Sequence, residues 1–259
     1  MLTVVKIGGN IVDDPQKLAD FLTDFAVLEG FKILVHGGGK LATRFSEKLG
    51  ISVQMHEGRR ITDAETLEVI TMVYGGLINK QIVAALQAKK CNAIGLIGAD
   101  LNIVTADKRP MKNGVDYGYV GDIRQVNRLT LTRLIEAGAC PVIAPITHNG
   151  EGMLLNTNAD TIASAIAVSL APDFPTRLMY CFEKKGVLTN PNDEESVINR
   201  INRNLFEQYK ADGTISAGMI PKLENALAAV EQGVEQVIIS RADMLTCLDS
   251  PDFVGTKVY

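Results

Sequence analysis

Short, continuous apolar runs of strand length alternate with helix-period segments almost from end to end of this 259-residue chain, and few architectures accept that pattern. Strands with no polar alternation are buried on both faces, so they belong in a parallel sheet covered by helices on each side. The expected fold is α/β: a three-layer α/β/α sandwich with a mainly parallel central sheet. The first run, residues 2–7, stops at Gly8-Gly9. Asp14-Pro15 then reads as a helix start, with Asp14 as N-cap and Pro15 in the first helical position. Leu18, Phe21, Leu22 and Phe25 follow at helical spacing. Residues 31–35 form the second run, which enters His36-Gly37-Gly38-Gly39 and a helix through Leu41, Phe45 and Leu49.

Thr62-x-x-Glu65 has the form of a capping box and opens a long apolar-periodic stretch to about residue 88. Gly75-Gly76 lies inside it, where each glycine costs about 1 kcal/mol relative to alanine. Such a pair marks a close helix contact or a kink, and a subunit interface is one candidate. Further strands are expected at 93–97, 141–144, 178–182 and 236–239, and helices at 129–137, 160–170 and 223–231. Between 101 and 126, shorter alternating runs around Gly114, Gly118 and Gly121 predict a β-hairpin beside the main sheet. With no internal repeat and no linker, residues 1–259 read as a single domain, in two approximate lobes (1–170 and 171–259) that share the sheet.

Charge and cysteine usage narrow the function. A net charge of -4 with no clustered basic face argues against a nucleic-acid partner. No apolar run reaches the ~20 residues that span a bilayer, and the N-terminus lacks a signal-peptide pattern. A cytoplasmic protein with no membrane partner is expected. Cys91, Cys140, Cys181 and Cys247 are too far apart for metal-ligand spacing, so they read as reduced core residues, and no protein-held metal site is expected.

The chemistry gathers at strand ends, where ligands bind in sheets of this kind. Lys6-Ile7-Gly8-Gly9-Asn10 ends the first strand and His36-Gly37-Gly38-Gly39 the second. Glycines there let backbone N–H groups approach an anion, and a following helix N-terminus adds positive potential. Lys6 supplies a mobile charge for a phosphate. The plainer alternative is a pair of tight strand-to-helix turns. Neither run is a Walker A loop or a dinucleotide fingerprint. Gly58-Arg59-Arg60 carries an arginine fork suited to a carboxylate, although a surface ion pair would explain Arg60 as well. Asn156-Thr157-Asn158-Ala159-Asp160 precedes a helix, and Asn158 also fits as a plain N-cap. Gly218-Met219-Ile220-Pro221-Lys222 sets a second lysine at the start of a third helix.

Taken in this order over residues 2–258, these five motifs resemble the amino acid kinase family. The pairing of Gly58-Arg59-Arg60-Ile61-Thr62 with the Asn156–Asp160 segment is similar to its branch acting on N-acetyl-L-glutamate. The resemblance implies transfer of the ATP γ-phosphoryl group to a side-chain carboxylate, with Mg2+ arriving on the nucleotide. It assigns Lys6 and Lys222 to charge on the transferring group, and Asp160 to holding both lysines. Gly8 and Gly9 would bind phosphate through the backbone. Gly38, Gly39, Arg60 and Asn156 would bind the acceptor, in the N-terminal lobe. Glu183, Lys184, Lys185, Gly186, Val187, Leu188, Thr214, Ile215 and Ser216 would form the nucleotide site, in the C-terminal lobe. Glu183-Lys184-Lys185 departs from the family, which usually has an aspartate followed by small or apolar residues.

A carboxylate acceptor is already ionised at pH 7, so no general base is needed, and His36 is expected to stabilise its turn. The partners implied are small-molecule substrates and a second copy of the chain, with the helix from about residue 63 as the homodimer interface. Only five residues precede Lys6, which leads to an expectation of insensitivity to arginine. N-succinyl-L-glutamate, another acceptor of the family, or a non-catalytic ligand-sensing role remain as alternatives.

Overall fold

The computed structural model of the chain describes every residue except 57–58, 112–113 and 216–217. The apolar runs do become parallel strands. Leu2–Ile7 (β1) is followed by a single helical turn, Gly9–Val12 (α1), and by Pro15–Val27 (α2). Asp14 caps α2 by accepting from the amides of Gln16 and Lys17. Phe31–His36 (β2) leads into Gly39–Lys48 (α3), and Met55–His56 (β3) pairs with Arg59–Arg60 (β4).

The long apolar stretch is one continuous helix in three parts: Ala64–Ile70 (α4), a π-helical Thr71–Ile78, and Asn79–Ala88 (α5). Its N-cap is Asp63, whose carboxylate accepts from the Thr66 amide. Thr62 instead turns inward, because its hydroxyl accepts from Asn156 in a neighbouring strand. The glycine pair lies in the π segment, where a Cβ on Gly75 would stand 3.2 Å from Ile97. Val69, Ile70, Val73, Tyr74, Ile78, Ile82 and Leu86 bury one face of this helix, while Met72 is 58% and Leu77 36% exposed.

Ala93–Leu96 (β5) precedes the expected hairpin, Val104–Lys108 (β6) and Gly121–Val126 (β7). Arg128–Glu136 (α6), Cys140–Ile143 (β8), Ile146–His148 (β9), Leu154–Asn156 (β10) and Ala159–Leu170 (α7) follow. The remainder is Thr176–Phe182 (β11), Arg200–Ile201 (β12), Arg203–Ala211 (α8), Ile220–Glu231 (α9), Gln236–Arg241 (β13) and Thr256–Val258 (β14).

The central eight-stranded sheet runs β12-β14-β13-β11-β1-β2-β8-β5, and only β13 with β14 is antiparallel. The hairpin joins β9 and β10 in a second, four-stranded sheet, β10-β9-β6-β7. Strand alternation divides the core. Leu2 and Val4 of β1 face one cluster, which contains Ile162, Ile166, Phe206 and Leu223. Val5 and Ile7 face the other, with Phe21, Phe25, Val73 and Ile82. Burying each such side chain contributes roughly 1.5–3 kcal/mol, so both layers are held to the sheet by the hydrophobic effect. With both faces covered, the carboxyl ends of β1, β2 and β11 open together at one rim.

Candidate functional site

That rim carries a cavity of about 590 Å³, whose wall includes Lys6, Gly8, Gly9, Gly39, Asp160 and Lys222. Lys6 is the fifth residue of β1, and its side chain is only 12% exposed. Its ammonium lies 2.8 Å from Oδ1 of Asp160, which is 30% exposed. The contact is an ion pair without hydrogen-bond alignment, so Oδ1 keeps a lone-pair direction for another cation. Asp160 stands in the first turn of α7, where the helix dipole favours a carboxylate. Asn158 is the N-cap of that helix and accepts from the amides of Asp160 and Thr161.

The two glycine turns meet beside this pair. A Cβ at Gly9 would stand 2.8 Å from the Asp13 carboxylate, which would have to turn aside. Asp13 in turn accepts from the Leu41 amide at 3.1 Å, tying the end of α1 to the start of α3. Burial, partly offset by that hydrogen bond and by Arg44 and Lys40, raises the Asp13 carboxyl above its ordinary value. Gly38 has φ 150° and ψ 24°, a conformation that side-chain-bearing residues rarely adopt. A Cβ at Gly38 would lie 2.2 Å from Cδ1 of Ile78.

Lys222 reaches the cavity from the first turn of α9, where Pro221 suits the helix start. It does not touch Asp160. Its ammonium rests 4.2 Å from the ring centroid of Phe182, at the end of β11. Phe182 stacks on Tyr180, with centroids 6.2 Å apart and planes 7° apart, and the Tyr180 hydroxyl donates to the Asp160 carbonyl at 3.3 Å. Cys181, between them, is buried and its thiol is pushed up to about 12 by burial, so it is inert.

Arg60 approaches the glycine turn from the side. One terminal nitrogen donates to the Gly39 carbonyl at 3.1 Å and to the Thr43 hydroxyl at 2.8 Å. Its other terminal nitrogen, Nη1, is buried with no aligned acceptor among the described residues, while the guanidinium also faces the Tyr74 hydroxyl. A buried donor with no acceptor is costly, by about 1–3 kcal/mol or more for a charged group. An acceptor brought by a ligand would remove that cost. Asn156 donates to the Thr62 hydroxyl at 3.0 Å, which anchors it near the β4 loop.

Among the nucleotide-side expectations, Glu183, Lys184, Gly186, Val187 and Leu188 line the cavity. Gly186 is also required for packing, since a Cβ there would meet Thr256 Oγ1 at 2.8 Å. Lys184 pairs with Glu194 at 3.4 Å, and Lys185 turns away to pair with Glu195. Thr214 and Ile215 do not line this cavity, and the Ile215 side chain is sealed in the core. Ser216 lies outside the described residues. Lys40, Asn10 and Phe182 line the cavity but were not expected. Lys40 had a readable signal, being a cation in the first turn after a glycine run. Among the described residues, no group of three or more His, Cys, Asp or Glu is placed to hold a metal ion.

Comparison with known proteins places the chain in one family. The model of the amino acid kinase family matches residues 1–240. An acetylglutamate kinase of Cytophaga hutchinsonii is 55% identical over 258 residues, covering 99% of this chain and 98% of its own. The acetylglutamate kinase of Bacteroides thetaiotaomicron is 56% identical over 257 residues, with the same coverage of both chains, 99% and 98%. Among solved structures, smu.665 of Streptococcus mutans UA159 superposes with a TM-score of 0.76 at 28% identity, over 99% of this chain and 98% of that one.

Proposed function

This chain belongs to the amino acid kinase family, and from that premise we propose that it transfers the γ-phosphoryl group of ATP to the side-chain carboxylate of N-acetyl-L-glutamate. The product is N-acetyl-L-glutamyl 5-phosphate, a step of arginine biosynthesis. Identity of 55–56% to acetylglutamate kinases over nearly the whole chain supports the substrate. The observation that carries the reaction type is the half-buried Lys6–Asp160 pair set between two glycine turns at one sheet rim.

Phosphoryl transfer relies on positioning and charge stabilisation more than on covalent help. In this reading a carboxylate oxygen of the acceptor attacks the γ-phosphorus as the bond to the β-phosphate oxygen breaks. The acceptor has no proton to lose, so no base acts. Lys6 offsets charge on the equatorial oxygens. Lys222 leaves the Phe182 ring for the phosphates, because a charge-assisted hydrogen bond outweighs an exposed cation–π contact of about 0.5–1 kcal/mol. Asp160 holds Lys6 in register and receives Lys222 on its free lone pair. The amides of Gly8 and Gly9 face the phosphates, and those of Gly38 and Gly39 face the acceptor. Arg60 Nη1 grips the α-carboxylate, with Asn156 beside it.

The donor set near the cavity offers the carboxylates of Asp160 and Glu183, too few for a protein cage. That suits Mg2+ held mainly by phosphates and water, where it would neutralise the triphosphate. Lys184, Gly186, Val187 and Leu188 flank the nucleotide in the lobe formed by residues 171–259, with residues 1–170 holding the acceptor. The enzyme works as a cytoplasmic homodimer, joined through the exposed Met72 and Leu77 side of the π segment.

The test is ATP-dependent hydroxamate formation by the purified protein with N-acetyl-L-glutamate, N-succinyl-L-glutamate, L-glutamate and L-aspartate. Strong signal with N-acetyl-L-glutamate is expected, and Lys6→Ala or Lys222→Ala should each lower kcat about a hundredfold or more. Equal signal with the succinyl compound would overturn the acyl assignment, and none with any acceptor would overturn the reaction.

A further inference from the structure

A buried polar chain that no catalytic step uses supports the glycine-rich turn after β2 from below. His36, the last residue of β2, and Asn79, the first residue of α5, are both fully buried. Asn79 Nδ2 donates to the Val142 carbonyl at 2.9 Å and lies 3.2 Å from His36 Nε2. Asn79 Oδ1 accepts from the Lys80 ammonium at 3.1 Å, and Lys80 also donates to the Gly95 carbonyl at 2.8 Å. A carbonyl can only accept and an ammonium only donate, so the amide has one consistent orientation. Its NH2 group therefore donates to Nε2, which must be the bare nitrogen. The ring proton is on Nδ1, and it donates to the Gly37 carbonyl at 2.9 Å.

That last bond has a geometric consequence. The Gly37 carbonyl and the Gly38 N–H belong to one planar trans peptide and point in opposite directions. Drawing the carbonyl inward onto His36 turns the Gly38 N–H outward, away from the core. Among the described residues, neither Gly38 nor Gly39 donates its N–H to a protein acceptor. The chain packs Asn79 into place by close approach, since a Cβ on Gly95 would stand 2.0 Å from Asn79 Oδ1. Burial lowers the imidazole pKa to about 4, so the ring stays neutral at pH 7 and carries one proton.

We propose that Asn79 is a positioning residue for the acceptor site: by fixing His36 as the Nδ1–H tautomer, it sets the peptide plane that aims the Gly38 amide at the substrate. This rests on the assignment of that turn to the acceptor in the reading above.

Two measurements test it. Long-range 15N–1H correlation on the unmodified enzyme should show His36 protonated on Nδ1, and a proton on Nε2 would overturn the proposal without reference to activity. The isosteric Asn79→Asp keeps the shape and turns both donors into acceptors, so Nε2 takes up a proton and His36 no longer rests as the Nδ1–H tautomer alone. The variant should show that Nε2 proton and lose about tenfold to a hundredfold in kcat/KM for N-acetyl-L-glutamate, with KM for ATP within about twofold. A merely space-filling asparagine predicts an unchanged tautomer and an unchanged kcat/KM, and that result would overturn the idea. Should the unmodified enzyme phosphorylate none of the acceptors, the reaction assignment fails while the tautomer measurement still decides whether Asn79 orients His36.

Discussion

Replacing Gly38 by alanine should expose how the glycine-rich turn after β2 is held, and the outcome divides into two parts. The first is backbone strain. At φ 150° and ψ 24° an L-residue with a Cβ is held in a sparsely populated region, at about 1–3 kcal/mol. The second is steric, because the new methyl would lie 2.2 Å from Cδ1 of Ile78, and overpacking of this kind costs about 1–3 kcal/mol. Gly38→Ala should therefore destabilise the protein by about 2–6 kcal/mol. Ile78→Val removes the one atom in the way and alone costs about 0.5–1.5 kcal/mol. The double variant should then be more stable than the sum of the singles by about 1–3 kcal/mol, since the steric part vanishes. Urea unfolding of all four proteins measures the cycle, with an unchanged m-value confirming a common unfolding reaction. Additivity within about 0.5 kcal/mol would refute the account, because Ile78 would then not be pressing on the turn.

The remaining expectations concern the acceptor, acid and assembly. Arg60→Lys keeps the charge but loses the fork, so KM for N-acetyl-L-glutamate should rise about tenfold or more with KM for ATP little changed; a rise in the ATP value instead would misplace Arg60. For His36 the ordinary value is 6.5 and the folded value about 4, lowered by burial and by the facing Lys80 charge. The unfolded chain thus takes up a proton first as pH falls below 6.5, and stability drops through that window by up to about 1.4 kcal/mol per unit, with no contribution from His36 above it. Urea unfolding between pH 7 and pH 4.5 should show a steeper acid loss for the parent than for His36→Gln, and equal slopes would count against a neutral buried ring. Met72→Glu, placing a charge on the exposed apolar face of the π segment, should shift sedimentation from dimer to monomer; an unchanged dimer would put the interface elsewhere.

The residues that reveal themselves in sequence act locally. Asp14-Pro15 starts α2 because the cap and the proline are neighbours of the amides they serve. The apolar run 2–7 became β1 with the same limits, because burial on both faces leaves no other pattern. Where distant segments decide, the reading falters. Thr62 resembles a cap, yet its hydroxyl is claimed by Asn156 from β10, and Asp63 takes the role. Helix α8 escaped notice because Phe206 is its only buried residue among polar neighbours. Strands β9 and β10 are three residues each, too short for period-two alternation to register. In the site, Lys6 and Asp160 meet as the motifs suggested. The resting place of Lys222 on Phe182 and the link from Asn79 to His36 depend on side chains brought together only by the completed sheet.

The strand order also bears on how the chain comes off the ribosome. Strand β1 pairs on one side with β2, Leu2 against Phe31, and on the other with β11, Leu2 against Thr176. The first partner emerges almost at once, but the second arrives only after more than half of the chain has been made. Until then β1 presents an open edge of unpaired N–H and C=O groups on a mostly apolar strand, the kind of surface that templates pairing with another chain. Non-local closure of this sort slows folding and lengthens that exposure. Lys6, so central to the site, thus lies on the strand whose far side stays unguarded longest, and the nascent chain should depend on holding factors until β11 closes the sheet.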